Sequence, residues 1–591
     1  MNIFTKWLNK LLYWRLYHIS NRNFLVIASV IVGIISSLAA VILKLFVHWL
    51  HGLPSYLTEV SNNHLWYIYL PLSGIIITVL VTKLLFKGKL EKGLGNILFA
   101  ISRKSSRVEK KKMYSHLVTS GITIGLGGSA GLEAPIVVTG AAIGSNIARF
   151  FNLGYKERTL LLACGSAAGI AAVFNSPIAG VVFALEVLLT EISIPVFIPL
   201  LIATATSIIV SKFLYKGQLF YLGTHDWYYH AIPFYLLLGT VCGLVSVYMT
   251  RVTLKMEGFF SRRKNIYAKV LLGGLALGII IFLFPPLFGE GYDSVKTLLA
   301  GSYSKLLNFS LFEDFKHNPW IILLVTAIII LLKVFATALT LGSGGNGGIF
   351  APSLFTGAMT GFGLAFFINT LGISDLHVGN FIVVGMAGVL SGVVHAPLTG
   401  IFLIAEITGG YVLFVPLMIV SALSYFISKY FEPYSIYTKK LAQSGHLLTH
   451  DKDSNILQQL KLDDLIETDF IPLKSIGTLK SLVDAFTVSN KYVYPVIDHE
   501  NNLLGVIYLE NVKHMLFQTE LHDQVKIIDI TDRSVVPIGK SENMESAMKN
   551  FETSRLWNIQ VTDGTRYIGF ISRSNIFSYY RRMLKQTASL F

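Results

Sequence analysis

Gly127-Gly128-Ser129-Ala130-Gly131-Leu132-Glu133-Ala134-Pro135 is a glycine-rich stretch inside a long apolar segment of this 591-residue chain. A carboxylate is costly to keep in a bilayer, so we expect Glu133 to face water, an ion or a partner group. The glycines let the backbone bend, and Pro135 suits the first turn of a helix, where its missing N–H group would lack a partner anyway. We therefore predict a loop that runs into a helix N-terminus at membrane depth. The free N–H groups of such an end suit an anion, with which Glu133 would compete.

The composition of the chain is that of a membrane protein. Hydrophobic residues make up 53% of it and charged residues only 14%, with a mean hydropathy of +0.59. Several stretches exceed the apolar length that spans a bilayer, so we predict a polytopic membrane protein. The net charge of +15 does not indicate a nucleic-acid partner, because the basic residues lie in the loops and the tail. Cys164 and Cys242 lie in apolar segments and predict neither a disulfide framework nor a metal site.

Basic residues in the loops predict the orientation of the chain. The segment His51–Leu65 contains no Lys or Arg, whereas Lys83–Lys112 and Lys255–Lys269 are rich in both. By the positive-inside rule the first loop is outside, and the other two, with the tail after Lys439, are inside. We expect an integral multi-pass protein of a bacterial inner membrane, with an amphipathic N-terminal segment at 1–23 and both termini in the cytoplasm.

Apolar segments of two kinds alternate along residues 24–442. Long spans are predicted at 24–50, 66–86, 191–213, 231–255, 267–286, 318–341 and 412–430. Shorter segments, interrupted by Gly and Pro, are predicted at 113–127, 134–151, 157–173, 176–190, 349–369, 377–394 and 397–408. Interrupted segments in corresponding halves of a chain indicate a transport site built from broken helices.

The two halves of this region repeat each other. Gly131–Pro135 aligns with Gly348–Pro352 in one register. A second match aligns Pro177–Gly180 with Pro397–Gly400, and Glu186, which follows the first segment, with Glu406, which follows the second. A match over about 75 residues indicates a duplication. We expect the halves, about 24–215 and 228–442, to pack as inverted repeats whose broken helices meet near the midplane of the bilayer.

The repeat departs from symmetry at one position. Glu133 stands where the other half has Phe350. Close helix packing alone would explain the glycines of both motifs, but not the matched prolines or a carboxylate in an apolar segment. We therefore interpret Glu133 as part of the transport site.

After Lys440 the composition becomes that of a soluble protein. A linker at 443–460 is followed by two similar patterns, at 461–517 and 525–585. Each pattern predicts a strand, a helix, two strands and a second helix. The tail is therefore predicted to be a tandem α/β module.

These motifs resemble those of the CLC family of chloride channels and proton-coupled anion exchangers. The resemblance covers about residues 24–442, and the tail resembles the paired CBS domains that many CLC proteins carry. It implies an all-α polytopic membrane fold, a CLC-like inverted repeat of tilted and broken helices, followed by an α/β tandem CBS module. It also implies a homodimer in membrane lipid with one chloride pore per subunit, proton movement if the protein is an exchanger, no enzymatic activity and no resident cofactor.

The gating-glutamate motif of the family, G-x-E-G-P, corresponds to Gly131-Leu132-Glu133-Ala134-Pro135, with Ala134 in place of the usual Gly. The resemblance implies that Glu133 is a gate that swings in and out of the anion path. It places Gly131, Leu132 and Ala134 among the groups that line the anion site. A carboxylate that only caps a helix N-terminus is the alternative interpretation of Glu133.

A second family motif, G-x-F-x-P, corresponds to Gly348-Ile349-Phe350-Ala351-Pro352. The resemblance implies that the N–H groups of Ile349 and Phe350 bind the central anion. Main-chain dipoles attract an anion without trapping it as a full positive charge would, so it can leave again. The late tyrosine whose hydroxyl binds this anion maps to Tyr437, with Tyr434 as the competing assignment.

The early family motif G-S-G-I-P has no full counterpart. An ungapped alignment places Glu91–Gly95 there, with Lys92 at the position of the anion-binding Ser. A gapped match on Gly93-Leu94-Gly95 also lacks the Ser, and it leaves Gly93 as the candidate ligand. Because this position discriminates among anions in the family, selectivity for fluoride or another anion stays open as an alternative.

The proton pathway of the family is also incomplete. Many exchangers carry two consecutive glutamates, the second of which accepts the internal proton. The matching residues here are Glu186 and Val187. This substitution favours channel-like or weakly coupled chloride transport, with proton-coupled exchange as the alternative. Glu186 and its repeat mate Glu406 are expected to be structural.

Paired CBS domains typically bind adenine nucleotides through a late S/T-x-x-D sequence. The corresponding positions are Tyr508 with Asn511 and Ser572 with Asn575, and neither pair has the Asp. Nucleotide binding is therefore one hypothesis for the tail, and a module for dimerisation is the other.

Two functions of other classes are disfavoured. A membrane-embedded serine protease could be built from Ser343 and His395, but the anion-site motif already explains the glycines around Ser343. A CBS-regulated cation transporter would require several converging carboxylates in the membrane. Only Glu133 is expected at a loop–helix junction.

Overall fold

The computed structural model describes residues 15, 17–61, 65–86, 88, 93–189, 194–215, 225–308, 313–443, 462–534, 536–542, 544–554 and 556–588. The chain divides into two compact units, Met1–Leu447 and Leu448–Phe591. Lys92 and most of the predicted linker 443–460 lie outside the described residues.

The first unit is helical. Its first half contains α1 (Asn21–Ser61), α2 (Trp66–Leu85), α3 (Gly95–Arg103), α4 (Lys112–Gly125), α5 (Glu133–Phe150), α6 (Tyr155–Phe174), α7 (Pro177–Phe183) and α8 (Ile194–Leu214). Its second half contains α9 (Ile232–Ser261), α10 (Ile266–Leu283), α11 (Tyr292–Leu299), α12 (Pro319–Ser343), α13 (Phe350–Thr370), α14 (Val378–Val394), α15 (Pro397–Ile407), α16 (Phe414–Phe431) and α17 (Lys439–Gln443). Within the described residues nine helices are long and apolar enough to cross a membrane. The expectation of a multi-pass helical membrane protein is thus confirmed.

Corresponding helices of the two halves end in the same way. Asn175 ends α6 with a φ of 57°, and His395 ends α14 with a φ of 61°. Asn and His are among the non-glycine residues that tolerate this left-handed conformation. Pro177 and Pro397 then begin the next helix at its first position, where the missing N–H group costs nothing. His395 thus lies at a helix end, with its ring edge-on to Tyr425.

Glycines bring matched helix pairs into backbone contact. A methyl group added to Gly144 of α5 would lie 1.9 Å from the carbonyl oxygen of Leu161 in α6. One added to Gly361 of α13 would lie 1.9 Å from the carbonyl oxygen of Phe381 in α14. Small residues let helices approach closely in this way in membranes. Close contact at a glycine therefore packs the corresponding helix pair in each half of the repeat.

The helix α7 continues as one π-helical turn, Ala184–Leu188, which the sequence pattern does not predict. Glu186 and Val187 lie in this turn, and both are half-buried. A π-helical turn rotates the side chains that follow it relative to an α-helix. Glu186 projects from within this turn and not from a regular α-helix.

The second unit contains two copies of one α/β pattern. The first copy has β1 (Leu473–Lys474), α18 (Leu479–Val488), β2 (Val493–Ile497), β3 (Leu503–Tyr508) and α19 (Leu509–Leu516). The second has β4 (Ile538–Gly539), α20 (Met544–Ser554), β5 (Asn558–Asp563), β6 (Arg566–Ser572) and α21 (Arg573–Ala588). In each sheet the first strand pairs parallel to the second, and the second pairs antiparallel to the third. This order agrees with the predicted strand–helix–strand–strand–helix pattern and is consistent with a CBS module.

Candidate functional site

The two halves of the membrane unit are hydrogen-bonded to each other at a pair of glycines, Gly131 and Gly348. The N–H group of Gly131 donates to the carbonyl oxygen of Gly348 at 2.8 Å, and the N–H group of Gly348 donates to that of Gly131 at 2.7 Å. A methyl group added to Gly348 would lie 2.8 Å from the Cβ atom of Ala134. One added to Gly131 would lie 2.7 Å from the Cβ atom of Ala351. The pair therefore holds the N-termini of α5 and α13 against each other.

Glu133 is the first residue of α5, and its side chain is buried, with 1% of the residue exposed. Its Oε1 atom accepts a hydrogen bond from the hydroxyl of Tyr292 at 2.8 Å. Its Oε2 atom makes no hydrogen bond of normal geometry to a described residue. The N–H group of Ala351, in the first turn of α13, also lies close to this carboxylate. Glu133 thus places its negative charge where the N-termini of both halves converge.

A second carboxylate, which the sequence analysis missed, lies at the same place. The N–H group of Leu132 donates to the Oε1 atom of Glu290 at 3.1 Å. Glu290 lies in the short loop between α10 and α11, two residues before α11 begins, so the expectation that only Glu133 lies at a loop–helix junction is wrong. The one sequence signal is an acidic residue between Gly289 and Gly291 at the end of an apolar span. That signal is weak because it does not predict which distant backbone group the carboxylate reaches.

Two buried lysines add positive charge around these carboxylates. The Nζ atom of Lys333 donates to the carbonyl oxygen of Gly289 at 2.9 Å and lies 4.7 Å from the ring centre of Phe355. The Nζ atom of Lys44 donates to the carbonyl oxygen of Ala172 at 2.8 Å. The charge of Glu290 acts on both lysines. Each cation is thus held by a backbone carbonyl group inside the membrane unit.

The residues of the second motif begin α13. Ile349 and Phe350 are buried, and the ring of Phe350 packs against the rings of Phe174 and Phe183 at 5.7 and 6.4 Å between centres. The first N–H groups of a helix have no partner within it, so those at this end can bind an external acceptor. The aromatic rings cover one side of this N-terminus with an apolar surface.

The two candidate tyrosines differ in environment. Tyr434 is 44% exposed, whereas Tyr437 is half-buried and packs against the hydrophobic core. The charge of Glu133 acts on Tyr437. A methyl group added to Gly95, at the start of α3, would lie 3.2 Å from the carbonyl oxygen of Tyr437. Gly93, two residues earlier, has a φ of 84°, so a residue with a side chain would be strained there.

Glu186 and Glu406 bind across the repeat in a reciprocal pattern. Glu186 accepts hydrogen bonds from the N–H groups of Leu398 at 3.1 Å and Thr399 at 2.8 Å, in the first turn of α15. Glu406 accepts them from the N–H groups of Ile178 at 3.0 Å and Ala179 at 2.9 Å, in the first turn of α7. Each carboxylate therefore caps the helix of the opposite half and compensates its dipole.

Ser343 lies at the C-terminal end of α12, where its hydroxyl donates to the carbonyl oxygen of Thr340 at 3.3 Å. Asn346, in the loop that follows, contacts the hydroxyl groups of Thr119 and Thr123 through its side chain and backbone, respectively. These contacts hold the glycine-rich loop before α13 against α4.

The second unit contains a cavity of about 500 Å³. Its lining includes Glu467, Lys491, Ser572 and Asn575. The hydroxyl of Ser572 donates to Glu467, and the side-chain amide of Asn575 donates to the carbonyl oxygen of Leu465 at 3.1 Å. Lys491 forms an ion pair with Glu467 at 3.3 Å. At this cavity Lys491 and Ser572 are thus both paired with Glu467, and Asn575 is bound to a backbone carbonyl group.

The other pair of the tail, Tyr508 and Asn511, does not line this cavity. Asn511 is exposed, and Tyr508 is half-buried. Burial, with a contribution from the charge of Asp532, raises the pKa of Tyr508 to about 12. Tyr508 therefore stays neutral, and its hydroxyl can donate a hydrogen bond, at physiological pH.

Comparison with known proteins gives the family of the membrane unit. A family model described as voltage gated chloride channel matches residues 73–429. The H(+)/Cl(-) exchange transporter ClcA of Yersinia pestis is 32% identical over 338 residues, which cover 54% of this chain and 66% of the relative.

Solved structures share the fold. A CLC-type fluoride/proton antiporter matches 70% of this chain and 96% of its own with a TM-score of 0.57 and 25% identity. A eukaryotic CLC transporter matches 93% of this chain and 97% of its own with a TM-score of 0.61 and 18% identity. The helical membrane fold, with its broken helices, is thus that of these structures.

Proposed function

Because the chain belongs to the CLC family of voltage gated chloride channels, we propose that it moves chloride across a membrane past Glu133. The observation that carries this proposal is the reciprocal pairing of Gly131 with Gly348, which joins the N-termini of α5 and α13. Two converging helix ends direct positive partial charge, and N–H groups that have no partner within their own helices, to one point. A chloride ion at that point would be attracted without a full positive charge that would trap it.

Glu133 acts as the gate in this proposal. Its carboxylate lies close to the N–H group of Ala351, which is a group that an anion would use. An anion and this carboxylate cannot both occupy that position, because two negative charges at close range repel each other strongly where water is excluded. Conduction therefore requires Glu133 to move away or to take up a proton.

The central anion would lie between the N–H groups of Ile349 and Phe350 and the hydroxyl of Tyr437. Tyr437 is preferred to Tyr434 because it is half-buried and within the electrostatic reach of Glu133. Gly93 and Leu94, before α3, would line the inner end of the path.

The mode of transport follows from Val187. A valine cannot accept a proton, so the internal proton route of an exchanger with two consecutive glutamates is interrupted here. We favour channel-like or weakly coupled transport, since Glu186 is also committed to the N-terminus of α15. The alternative is proton-coupled exchange, the activity for which the relative of Yersinia pestis is named.

Anion selectivity is a separate question. No serine stands at the early motif, and a CLC-type fluoride/proton antiporter is among the structures that share the fold. Comparison of chloride, nitrate and fluoride efflux from one liposome preparation would decide between a chloride and a fluoride pathway. A strong preference for fluoride would contradict the chloride assignment.

We place the protein in a bacterial inner membrane as a homodimer, with the loops of 83–112 and 255–269 and the tail in the cytoplasm. The basic residues of these loops support this orientation. The tail would respond to an adenine nucleotide or serve for dimerisation. Calorimetric titration of the full chain with ATP, ADP and AMP tests the first role, which the absence of any heat of binding would exclude.

The deciding experiment measures chloride efflux from liposomes and external pH together, for the wild type and Glu133→Gln. We expect chloride efflux with little proton movement in the wild type, and faster efflux in the variant, because glutamine carries no charge that competes with the anion. Proton uptake driven by chloride efflux and lost in the variant would instead show an exchanger. No chloride flux in either protein would contradict the proposal.

A further inference from the structure

Glu290 is a carboxylate for which the proposed path gives no role. It lies in the loop between α10 and α11, and its Oε1 atom accepts a hydrogen bond from the N–H group of Leu132. Leu132 immediately precedes α5, so this N–H group is one of those that have no partner within the helix. The backbone group that would otherwise face an incoming anion is therefore already bound to a negative charge of the protein.

The loop that carries Glu290 is held in place from several sides. Gly289 and Gly291 have φ values of 58° and 88°, which residues with a side chain rarely adopt. The N–H group of Gly289 donates to the carbonyl oxygen of Gly127 at 3.3 Å, and Lys333 donates to the carbonyl oxygen of Gly289. These contacts fix the backbone, so that a movement of Glu290 would be a movement of its side chain.

The charged and titratable groups around this loop come from four elements. They are Lys44 and His51 of α1, Glu133 of α5, Tyr292 and Asp293 of α11, and Lys333 of α12. Glu133 and Glu290 repel each other, while Lys333 and Lys44 attract Glu290. The Nζ atoms of both lysines bind backbone carbonyl groups, so these cations act on Glu290 through their field rather than as ion-pair partners.

The two carboxylates have equivalent relations to the two helix ends. Glu133 lies close to the N–H group of Ala351 at the start of α13, and Glu290 binds the N–H group of Leu132 at the start of α5. Each helix N-terminus at this site therefore has a carboxylate of the protein beside it.

We propose that Glu290 is a second gating carboxylate, which occupies the N–H group of Leu132 as a bound anion would and must release it before a transported anion can bind there. This inference rests on the proposed anion transport. To that transport it adds a residue, Glu290, which sets the anion concentration that is needed to open the path. Because Glu290 competes with the anion for one group, its effect must decline as the anion concentration rises.

The test measures initial chloride uptake into liposomes against external chloride concentration for the wild type, Glu290→Gln and Glu290→Asp. Glutamine keeps an acceptor oxygen but removes the charge, so we expect the half-saturating chloride concentration to fall by about tenfold with a nearly unchanged maximal rate. Aspartate keeps the charge but is too short to reach Leu132 as closely, so we expect an intermediate value. Calorimetric titration of the same proteins with chloride should give the same order of affinities.

Asp293→Asn is the matched control. Asp293 lies three residues further on and carries the same charge, but its side chain is 91% exposed and pairs with Lys296. Its neutralisation should leave the half-saturating concentration unchanged, which excludes a general effect of net charge.

If Glu290→Gln takes up chloride with the same half-saturating concentration as the wild type, the inference is overturned, while the proposed anion transport still stands. An equal shift in Asp293→Asn, or a lower maximal rate without a change of half-saturation, would also overturn it. If Glu290→Gln fails to fold, Glu290→Asp is used in its place. An unchanged half-saturating chloride concentration in Glu290→Asp would then overturn the inference. No anion uptake in the wild type or in any variant would overturn the proposed function and this inference with it.

Discussion

The carboxylate of Glu133 accepts a hydrogen bond from Tyr292, which any movement of the gate must break. The hydroxyl of Tyr292 donates to its Oε1 atom at 2.8 Å, and Tyr292 itself is buried. A hydrogen bond to a charged group contributes about 1.5–3 kcal/mol, which is enough to change the population of an open gate severalfold. Tyr292 therefore belongs to the gate as a positioning residue.

Replacement of Tyr292 by phenylalanine should weaken the closed gate. We expect Tyr292→Phe to raise chloride efflux from liposomes by about tenfold or more, because the carboxylate loses a donor while the ring stays in place. In a protein that also carries Glu133→Gln the substitution should have little effect, since no charged gate remains.

Tyr303→Phe serves as the control for this measurement. Its ring packs against Phe362 and Phe366 in the same part of the membrane unit. The prediction is contradicted if Tyr292→Phe and Tyr303→Phe have the same effect, or if the effect of Tyr292→Phe persists without the charge of Glu133.

At the scale of elements, the exchange of caps between α7 and α15 joins the two halves of the repeat. Glu186 and Glu406 each accept two backbone hydrogen bonds from a helix that lies more than 200 positions away in the sequence. The two short helices begin with proline and lack a cap of their own. Their orientation therefore depends on the opposite half.

Neutralisation of either cap should destabilise the membrane unit. We expect Glu186→Gln and Glu406→Gln each to lower the free energy of unfolding by about 1–2 kcal/mol, because the charge–dipole interaction and one acceptor are lost. The change is measured as the shift of the thermal unfolding midpoint in detergent. Glu257→Gln is the control, since Glu257 is an exposed partner of Lys440 and such pairs contribute little. Equal midpoints for all three variants would refute the capping role.

The close helix contacts at Gly144 and Gly361 lead to a second prediction at the scale of elements. Gly144→Ala and Gly361→Ala would each place a methyl group 1.9 Å from a carbonyl oxygen, so the helices must separate. We expect each substitution to cost about 1–3 kcal/mol or to prevent folding, as measured by the unfolding midpoint and by gel filtration.

Gly258→Ala provides the matched control for these substitutions. Gly258 lies inside α9, and among the described residues no heavy atom beyond its chain neighbours and the backbone of its own helix lies within 4 Å of an added methyl group. Alanine should be tolerated there or stabilise by up to about 1 kcal/mol, because it favours the helix. A similar loss of stability in all three variants would show that helix contact is not the cause.

At the scale of the whole molecule, the orientation in the membrane follows from the distribution of positive charge. Lys264, in the loop between α9 and α10, is expected on the cytoplasmic side, and Asp314, between α11 and α12, on the outer side. Both side chains are exposed. The native thiols of Cys164 and Cys242 are buried and free, so they give a low background for cysteine labelling.

We expect a membrane-impermeant maleimide to label Asp314→Cys in intact cells and Lys264→Cys only after the membrane is opened. The wild type, with its two buried thiols, should stay unlabelled in both conditions. Labelling of Lys264→Cys in intact cells would reverse the proposed orientation.

The sequence by itself determined the class of the protein, its duplication and the position of Glu133. Apolar length, glycine–proline motifs and a carboxylate are local features, and each acts through residues within one or two turns of the chain. For this reason α5 begins at Glu133 and α13 at Phe350, as the two aligned motifs predict.

Only the tertiary structure decided what these groups contact. Glu290 reaches the N–H group of Leu132 across 158 positions, and Glu186 reaches that of Thr399 across 213. A carboxylate carries no local signal for its partner, because the partner is selected by the packing of helices and by the cost of an unpaired charge in an apolar interior. The sequence therefore predicted which segments carry few charges, and the packing of the two halves determined which groups those charges contact.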